Sequence, residues 1–178
     1  DRKEMRNLSE LTHLGEQDLP NIYCDMDQVL CNFLKGADKA VGGSFVTADR
    51  KTRWNTITSM GKKFWENLEW MPGSKQMYSF ISKYDPYILS AYSDKDPTGS
   101  KSGKMSWLTK NTKAKRSKIN LVLREQKKKF AKDDNGNANL LIDDYEKNVQ
   151  EWERAGGIGI LHKNGPNTIR ELKRLGFK

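Results

Sequence analysis

Two carboxylates stand two residues apart in Asn21-Ile22-Tyr23-Cys24-Asp25-Met26-Asp27-Gln28-Val29-Leu30, where a short apolar run ends abruptly in acid. On an extended backbone alternate side chains face the same way, so Asp25 and Asp27 point together. Carboxylates so close repel one another and favour a divalent cation, with Mg2+ the natural choice for an all-oxygen site that also carries phosphate. A second acidic pair, Asp143-Asp144, follows the apolar run Leu140-Leu141-Ile142. Between the two pairs, Leu89-Ser90-Ala91-Tyr92-Ser93 offers a hydroxyl and backbone N–H groups, and Gly103-Lys104 offers a cation at the expected start of a helix. A nucleophilic carboxylate, metal-binding acids, a hydroxyl and a lysine are together what phosphoryl transfer to water requires, because charge on the transferring group must be neutralised by cations and hydrogen-bond donors. One isolated Asp-x-Asp reads more naturally as a solvated turn; four such features at successive element ends point to one site.

The elements that must position these groups follow from the spacing. The apolar run before Asp25 reads as a buried strand, and further strands are expected over 86–89, 119–123, 140–142 and 158–161. Helices are expected over 74–84, 103–110, 125–131, 147–155 and 167–175, with Gly156-Gly157 marking a helix-to-strand turn. Strands alternating with helices imply an α/β fold: a three-layer, Rossmann-like parallel sheet of about five strands with right-handed crossovers. The stretch 32–71 has too little strand pattern to continue the alternation and carries Phe33, Phe45, Trp54, Phe64, Trp65 and Trp70. It reads as a small, mainly helical cap inserted after the first strand, and a lid in that place would exclude water from the site. The expected division is an N-terminal extension over 1–20, a core over 21–31 and 72–178, and the cap over 32–71. Met5, Leu8, Leu11 and Leu14 suggest a short amphipathic helix in the extension.

With 178 residues, 35% of them hydrophobic, and a mean hydropathy of −0.85, the chain suits one core with a modest insertion and has no apolar run long enough to span a membrane. Asp1 to Pro20 is charged and has no apolar core of a secretion signal, so a cytoplasmic protein is expected; a first residue other than Met suggests a fragment or a processed chain. Cys24 and Cys31, the two cysteines, read as buried thiols rather than a disulfide or a zinc site. Thirty-two Lys and Arg against 23 Asp and Glu give a net charge of +9, which favours anionic partners without separating free nucleotides from a polynucleotide. Much of the surplus falls between Lys101 and Lys132.

The motifs Asp25-Met26-Asp27-Gln28-Val29-Leu30, Ser90 and Leu141-Ile142-Asp143-Asp144 resemble the ordered motifs of the haloacid-dehalogenase-like (HAD-like) phosphohydrolases. Phe33, Phe64-Trp65-x-x-Leu68-x-x-Met71-Pro72-Gly73, Gly103-Lys104-x-x-Trp107 and Gly156-Gly157-x-Gly159-Ile160-Leu161-His162 add a narrower resemblance to the 5'(3')-deoxyribonucleotidases, including phage and bacterial members. The resemblance spans roughly Asn21 to His162, and a phage-encoded member would act in the host cytoplasm. It implies that Asp25 is the nucleophile that forms an aspartyl-phosphate, and that Asp27 protonates the leaving alcohol and then activates water. It implies Mg2+ held by Asp25, the Asp27 backbone carbonyl, Asp143 and Asp144, with Asp143 the direct ligand of the second pair and Asp144 acting from behind it or through water, or the two in exchanged roles. Ser90, helped by the N–H of Ala91, would bond the phosphate. Lys104 would pair with it, and Lys127, Lys128 or Lys129 are alternatives at a spacing other superfamily members use. Phe33 and Phe64 or Trp65 would stack on or wall the base, or else pack the cap.

Two positions depart from the pattern. Gln28 stands where relatives commonly have Gly, and Ala91 replaces a residue that is often a hydroxyl donor. The expected activity is Mg2+-dependent hydrolysis of (deoxy)nucleoside monophosphates. Two other readings are a phosphatase acting on terminal phosphates of nucleic acid, to which the basic segment points, and a catalytically weak nucleotide- or nucleic-acid-binding module that keeps the fold.

Overall fold

Each strand of the sheet is short and apolar on both faces, as a strand covered on both sides must be. The computed structural model describes residues 18–178, so the helix expected around Met5 to Leu14 lies outside the described residues. In chain order the elements are β1 (Ile22–Cys24), the helices α1 (Phe33–Val41), α2 (Arg50–Met60), α3 (Lys62–Glu66) and α4 (Ser74–Ser82), then β2 (Tyr87–Ala91) and α5 (Pro97–Thr112). They continue as β3 (Ile119–Val122), a 3-10 segment Arg124–Phe130, β4 (Leu140–Asp143), α6 (Glu146–Arg154), β5 (Ile158–Leu161) and α7 (Gly165–Arg174). All pairings are parallel, in the order β3-β2-β1-β4-β5.

Period-two alternation splits the strand residues between two layers of core. Ile22, Cys24, Ile88, Leu140 and Ile142 join one cluster with Met77 and Ile81 of α4, Trp107 and Leu108 of α5, and Leu172 of α7. Tyr23, Leu89 and Leu141 join the other with Trp152 of α6 and Phe130. Each fully buried aliphatic side chain contributes about 1.5–3 kcal/mol against the entropy of ordering the chain.

The strand order decides where a site can form. From β1 the chain moves outward through β2 to β3, then crosses back to place β4 on the other flank of β1. Connections leaving β1 and β4 therefore part at the carboxyl ends of these strands, and a crevice opens there. The register pairs Cys24 with Ile142, and the Asp25 N–H donates to the Ile142 carbonyl at 2.9 Å. Asp25 and Asp143, 118 positions apart in sequence, thus leave the sheet side by side.

α1, α2 and α3 lie between β1 and β2 and share an aromatic cluster. The Phe33 ring stacks on Trp65 at 5.6 Å and meets Phe45 and Phe64 edge-on at 5.3 and 5.7 Å. α3 packs on α5 at Gly103, where a Cβ would lie 2.5 Å from the Lys62 carbonyl oxygen and 2.6 Å from the Trp65 Cβ. Trp107 Nε1 donates to the Leu68 carbonyl at 2.7 Å and ties the end of the insertion to the same helix.

Two elements differ from expectation. Gly103-Lys104 does not open α5, which begins at Pro97 with Asp96 as its cap, its Oδ1 accepting from Gly99 N at 3.1 Å. Asp-Pro is the stronger start signal, because the carboxylate satisfies a free N–H and proline needs no donor at the first position. Gly103 is glycine for close approach to α3 instead. The basic stretch read as a helix over 125–131 is 3-10, which changes the directions in which its lysines point.

Candidate active site

A tight turn after β1 sets the direction of Asp27. Gln28 has φ of +61°, the left-handed region, which explains why a residue with no Cβ suits this place. Its own side chain offsets some of that cost: Gln28 Oε1 accepts from the Leu34 N–H at 2.9 Å in the first turn of α1. The Ser74 hydroxyl, at the start of α4, bonds the Val29 carbonyl and braces the turn from below.

Asp25, at the end of β1, is 6% exposed, and Asp143, the last residue of β4, is fully buried. Asp144 is exposed beside them, and the three offer carboxylate oxygens that lie within 4.8 Å of one another. Lys127 is folded in among them: its Nζ donates to Asp25 Oδ1 at 3.0 Å and to Asp143 Oδ2 at 2.9 Å. Asp143 is held further by Asn148 Nδ2 at 3.1 Å and by the Tyr145 N–H at 2.9 Å. These bonds fix the orientation of the carboxylate, as outer-shell partners of a metal ligand do.

A second cation serves the second aspartate. Lys104 is fully buried, and its Nζ donates to Asp27 Oδ2 at 2.8 Å, to Ser90 Oγ at 3.0 Å and to the Ala91 carbonyl at 2.6 Å. The Trp65 ring lies 4.8 Å from the same ammonium, so α3 reaches the site through a cation–π contact. The Cys31 thiol donates to Asp27 Oδ1 at 3.4 Å from the other side.

The electrostatics reflect acids crowded out of water. Burial, then repulsion from Asp143, pushes Asp25 well above the usual carboxylate range, against the pull of Lys127. Asp144 rises to about 6 by burial and by Asp143. Burial works against the charge on Lys127, but Asp25 and Asp143 outweigh it and its pKa is raised. Three acids around one ammonium retain excess negative charge at a place open to solvent on the Asp144 side. That donor set, all oxygen and partly buried, fits a hard divalent cation such as Mg2+.

The expected site residues thus divide in space. Asp25, Asp27, Ser90, Lys104, Asp143 and Asp144 meet at the carboxyl ends of β1, β2 and β4, and Ala91 contributes its carbonyl. Phe64 and Trp65 are buried and Phe33 is half-buried within the cap cluster, and of these rings Trp65 is in contact with Lys104. Lys104 and Lys127, alternatives in the sequence, are both present, one on each aspartate of the first pair. The sequence gives no sign of the part played by Asn148, which follows Asp143 by five residues on α6 with no distinguishing pattern. His162, the last residue of the Gly156-Gly157 motif, is buried, bonds Thr168 through Nδ1 at 2.7 Å, and is pushed down to about 4 by burial.

No protein-family model and no curated protein matches the chain. Solved structures do. A candidate β-phosphoglucomutase from Bacteroides vulgatus is 14% identical, with a TM-score of 0.53 over 97% of this chain and 95% of that one. A HAD-family enzyme from Bacteroides thetaiotaomicron is 16% identical, with a TM-score of 0.49 over 86% of this chain and 98% of that one. Its wild-type complex with magnesium and inorganic phosphate is 16% identical, with a TM-score of 0.45 over 83% of this chain and 96% of that one. The likeness to the Bacteroides vulgatus structure shows the architecture: the chain has a HAD-like α/β fold.

Proposed function

We propose that the protein is a Mg2+-dependent phosphomonoesterase that hydrolyses (deoxy)nucleoside monophosphates through an aspartyl-phosphate on Asp25. The observation that carries this reading is the meeting of Asp25, Asp143 and Asp144 around Lys127, with the Lys104–Ser90 pair on Asp27 beside them. Mg2+ would be held by Asp25, Asp143, Asp144 and the Asp27 backbone carbonyl, and when bound supplies charge neutralisation for the phosphoryl group. An Asp25 carboxylate oxygen attacks phosphorus; the new P–O bond forms as the ester bond to the nucleoside oxygen breaks. Asp27 gives that oxygen a proton as it leaves. The same group then takes a proton from water, which attacks the phosphoenzyme, releases inorganic phosphate and restores Asp25. Ser90 and Lys104 hold phosphoryl oxygens. Lys127 orients Asp25 and opposes, in part, the burial and the repulsion from Asp143 that favour its neutral form. Phe64 and Trp65 are buried and back the half-buried Phe33, the one of the three rings with surface to offer a base, while Trp65 packs on Lys104.

Phosphate release from dUMP, dTMP and a 3'-phosphorylated oligonucleotide, each measured with Mg2+ and with EDTA, tests the reading. Release from the mononucleotides that needs Mg2+ is the expected result. No release from any of them in saturating Mg2+ would sink it.

A further inference from the structure

We infer that the edge of the sheet beside the site is a track for the phosphodiester backbone of a single-stranded nucleic acid, so that the terminal phosphate of a strand is a substrate alongside the mononucleotides. The inference rests on the phosphatase reading and extends its substrate from mononucleotides to strand ends.

Three observations carry it. The first is where the charge sits. Residues 101–132 hold twelve Lys and Arg and one acid, Glu125, a surplus of eleven in a chain whose net charge is +9, so the rest of the chain is slightly acidic. Seven of the twelve, Lys101, Lys104, Lys110, Lys113, Lys115, Arg116 and Lys118, lie on α5 and the turn into β3 at one edge of the sheet, with Lys104 buried in the site; the other five follow β3, where the 3-10 segment packs on α6. Among the described residues Lys110, Lys113, Lys115 and Arg116 are exposed and have no acidic partner, while nearby Asp85 is taken by Lys118 at 3.2 Å and Asp96 by the start of α5.

The second is a groove of about 540 Å³ along this edge, lined by Lys62, Lys101 and Arg116 together with Met105, Ile119 and Leu121. No acid lines it, and Lys62 is held only loosely, 3.7 Å from Glu66. β3 is an edge strand and rises about 10 Å from Ile119 to Val122, so the groove is long enough for more than one nucleotide of an extended strand.

The third is how the groove meets the site. Lys101 is one helical turn before Lys104 on α5, and its Nζ lies 4.2 Å over the ring of Tyr92, which is half-buried. Tyr92 directly follows Ala91, whose carbonyl Lys104 bonds. On the far rim Tyr145, which follows Asp144, is 49% exposed. Aromatic rings that reach solvent at the mouth, with a line of cations leading away from it, are the pairing that single-stranded binders use, since any base can stack and every linkage carries a charge. A mononucleotide would fill the site and leave this groove untouched.

The test measures kcat/KM for dTMP and for oligo-dT carrying a 3' or a 5' phosphate, and binding of an unphosphorylated, fluorescein-labelled oligo-dT by anisotropy from 50 to 200 mM NaCl. All are done on the full chain and on the Lys101→Gln, Arg116→Gln double variant, with a Lys101→Arg, Arg116→Lys variant as the charge-restoring control. For the double variant, kcat/KM on the phosphorylated oligomer and affinity for the labelled one should fall about tenfold at 50 mM NaCl. The slope of log K against log salt should shrink by about 1.4, or about 0.7 for each of the two cations removed, and dTMP turnover should stay within about twofold. The control should restore both oligomer readings. Equal losses on dTMP and oligomer, or no loss on either, would overturn the track. Turnover of dTMP with no binding of the labelled oligomer would overturn it too, and leave the phosphatase reading standing. Binding with the expected salt slope but no phosphate release from any substrate would keep the track and overturn the phosphatase reading.

Discussion

Replacing Lys127 with Met keeps most of its length and apolar stem and removes the charge. Its side chain is 4% exposed and its ammonium touches two buried carboxylates, at 3.0 Å on Asp25 and 2.9 Å on Asp143. Removing one member of a buried ionic set costs about 3–5 kcal/mol, because the remaining charges keep their desolvation penalty without compensation. In a chain of this length each kcal/mol moves the midpoint by about 2–4 °C, so Lys127→Met should lower Tm by about 10 °C in EDTA. The loss should depend on pH in a stated direction. Burial and Asp143 already raise Asp25, and without Lys127 nothing opposes them. The folded state then holds a proton that the unfolded chain releases, so stability rises as pH falls through the folded pKa and is lost as pH rises through it. The gap between variant and parent should therefore be smaller at pH 5.5 than at pH 8.

Mg2+ gives the second arm of the same experiment. A divalent cation among Asp25, Asp143 and Asp144 replaces the missing positive charge, so millimolar Mg2+ should raise the Tm of Lys127→Met by several degrees more than that of the parent. Differential scanning fluorimetry over the four conditions reads both effects. A variant whose midpoint in EDTA at pH 8 falls within about 2 °C of the parent's, or whose response to Mg2+ matches the parent's, would refute the claim that Lys127 neutralises these acids.

Three further outcomes follow from the geometry. Asp25→Asn should reduce phosphate release by about 10^3-fold or more while the circular dichroism spectrum is unchanged, because the amide is a poor nucleophile in the same shape; a variant with parental turnover removes Asp25 from that role. Gly103→Ala should cost about 1–3 kcal/mol, since its Cβ would press on the Lys62 carbonyl and on Trp65, and it should raise KM for dTMP by displacing the ring over Lys104; urea denaturation and steady-state kinetics check the two parts. His162 is held neutral in the fold, from an ordinary 6.5 down to about 4, so its contribution is complete above pH 6.5 and is lost as pH falls toward 4, by about 3 kcal/mol at most. His162→Asn should flatten that part of the urea-derived stability profile, and an unchanged profile would count against it.

The five parallel strands were legible in the sequence because a parallel strand covered on both faces is a short apolar run, although their order in the sheet was not. Ser90 and the two acidic pairs were legible for the same reason: polar residues directly after such runs have few places to be except the crevice. The choice of lysine was not, and the cause is physical. Lys127, Lys128 and Lys129 are chemically alike, and what separates them is the 3-10 geometry of Arg124–Phe130, which buries Lys127 and leaves its two neighbours exposed. A sequence cannot show that a turn is 3-10 when a basic helix fits the same residues. For α5, Gly103 carried both a possible helix start and a close approach, and the Asp96-Pro97 signal seven residues earlier settles which. Asn148 carried no signal, since an asparagine facing inward from a helix differs from an exposed one only through the fold.

The charge arrangement of the site gives one reason for two lysines rather than one. Four acids gather here, Asp25, Asp27, Asp143 and Asp144, and two ammonium groups are built in, each bonded to a different member of the first pair. With every group ionised the balance is two negative charges, which one divalent cation cancels and a monovalent cation does not. On the proposed function, a phosphate dianion approaching the site with such a cation bound would meet no net repulsion from the protein, whereas with either lysine missing it would face a full negative charge at close range, in a medium where such charge is poorly screened. Burial first, and repulsion from Asp143 second, raise Asp25 and Asp144. Two lysines of different reach, one from α5 and one from the turn before β4, thus leave two of the four acidic charges without a cation.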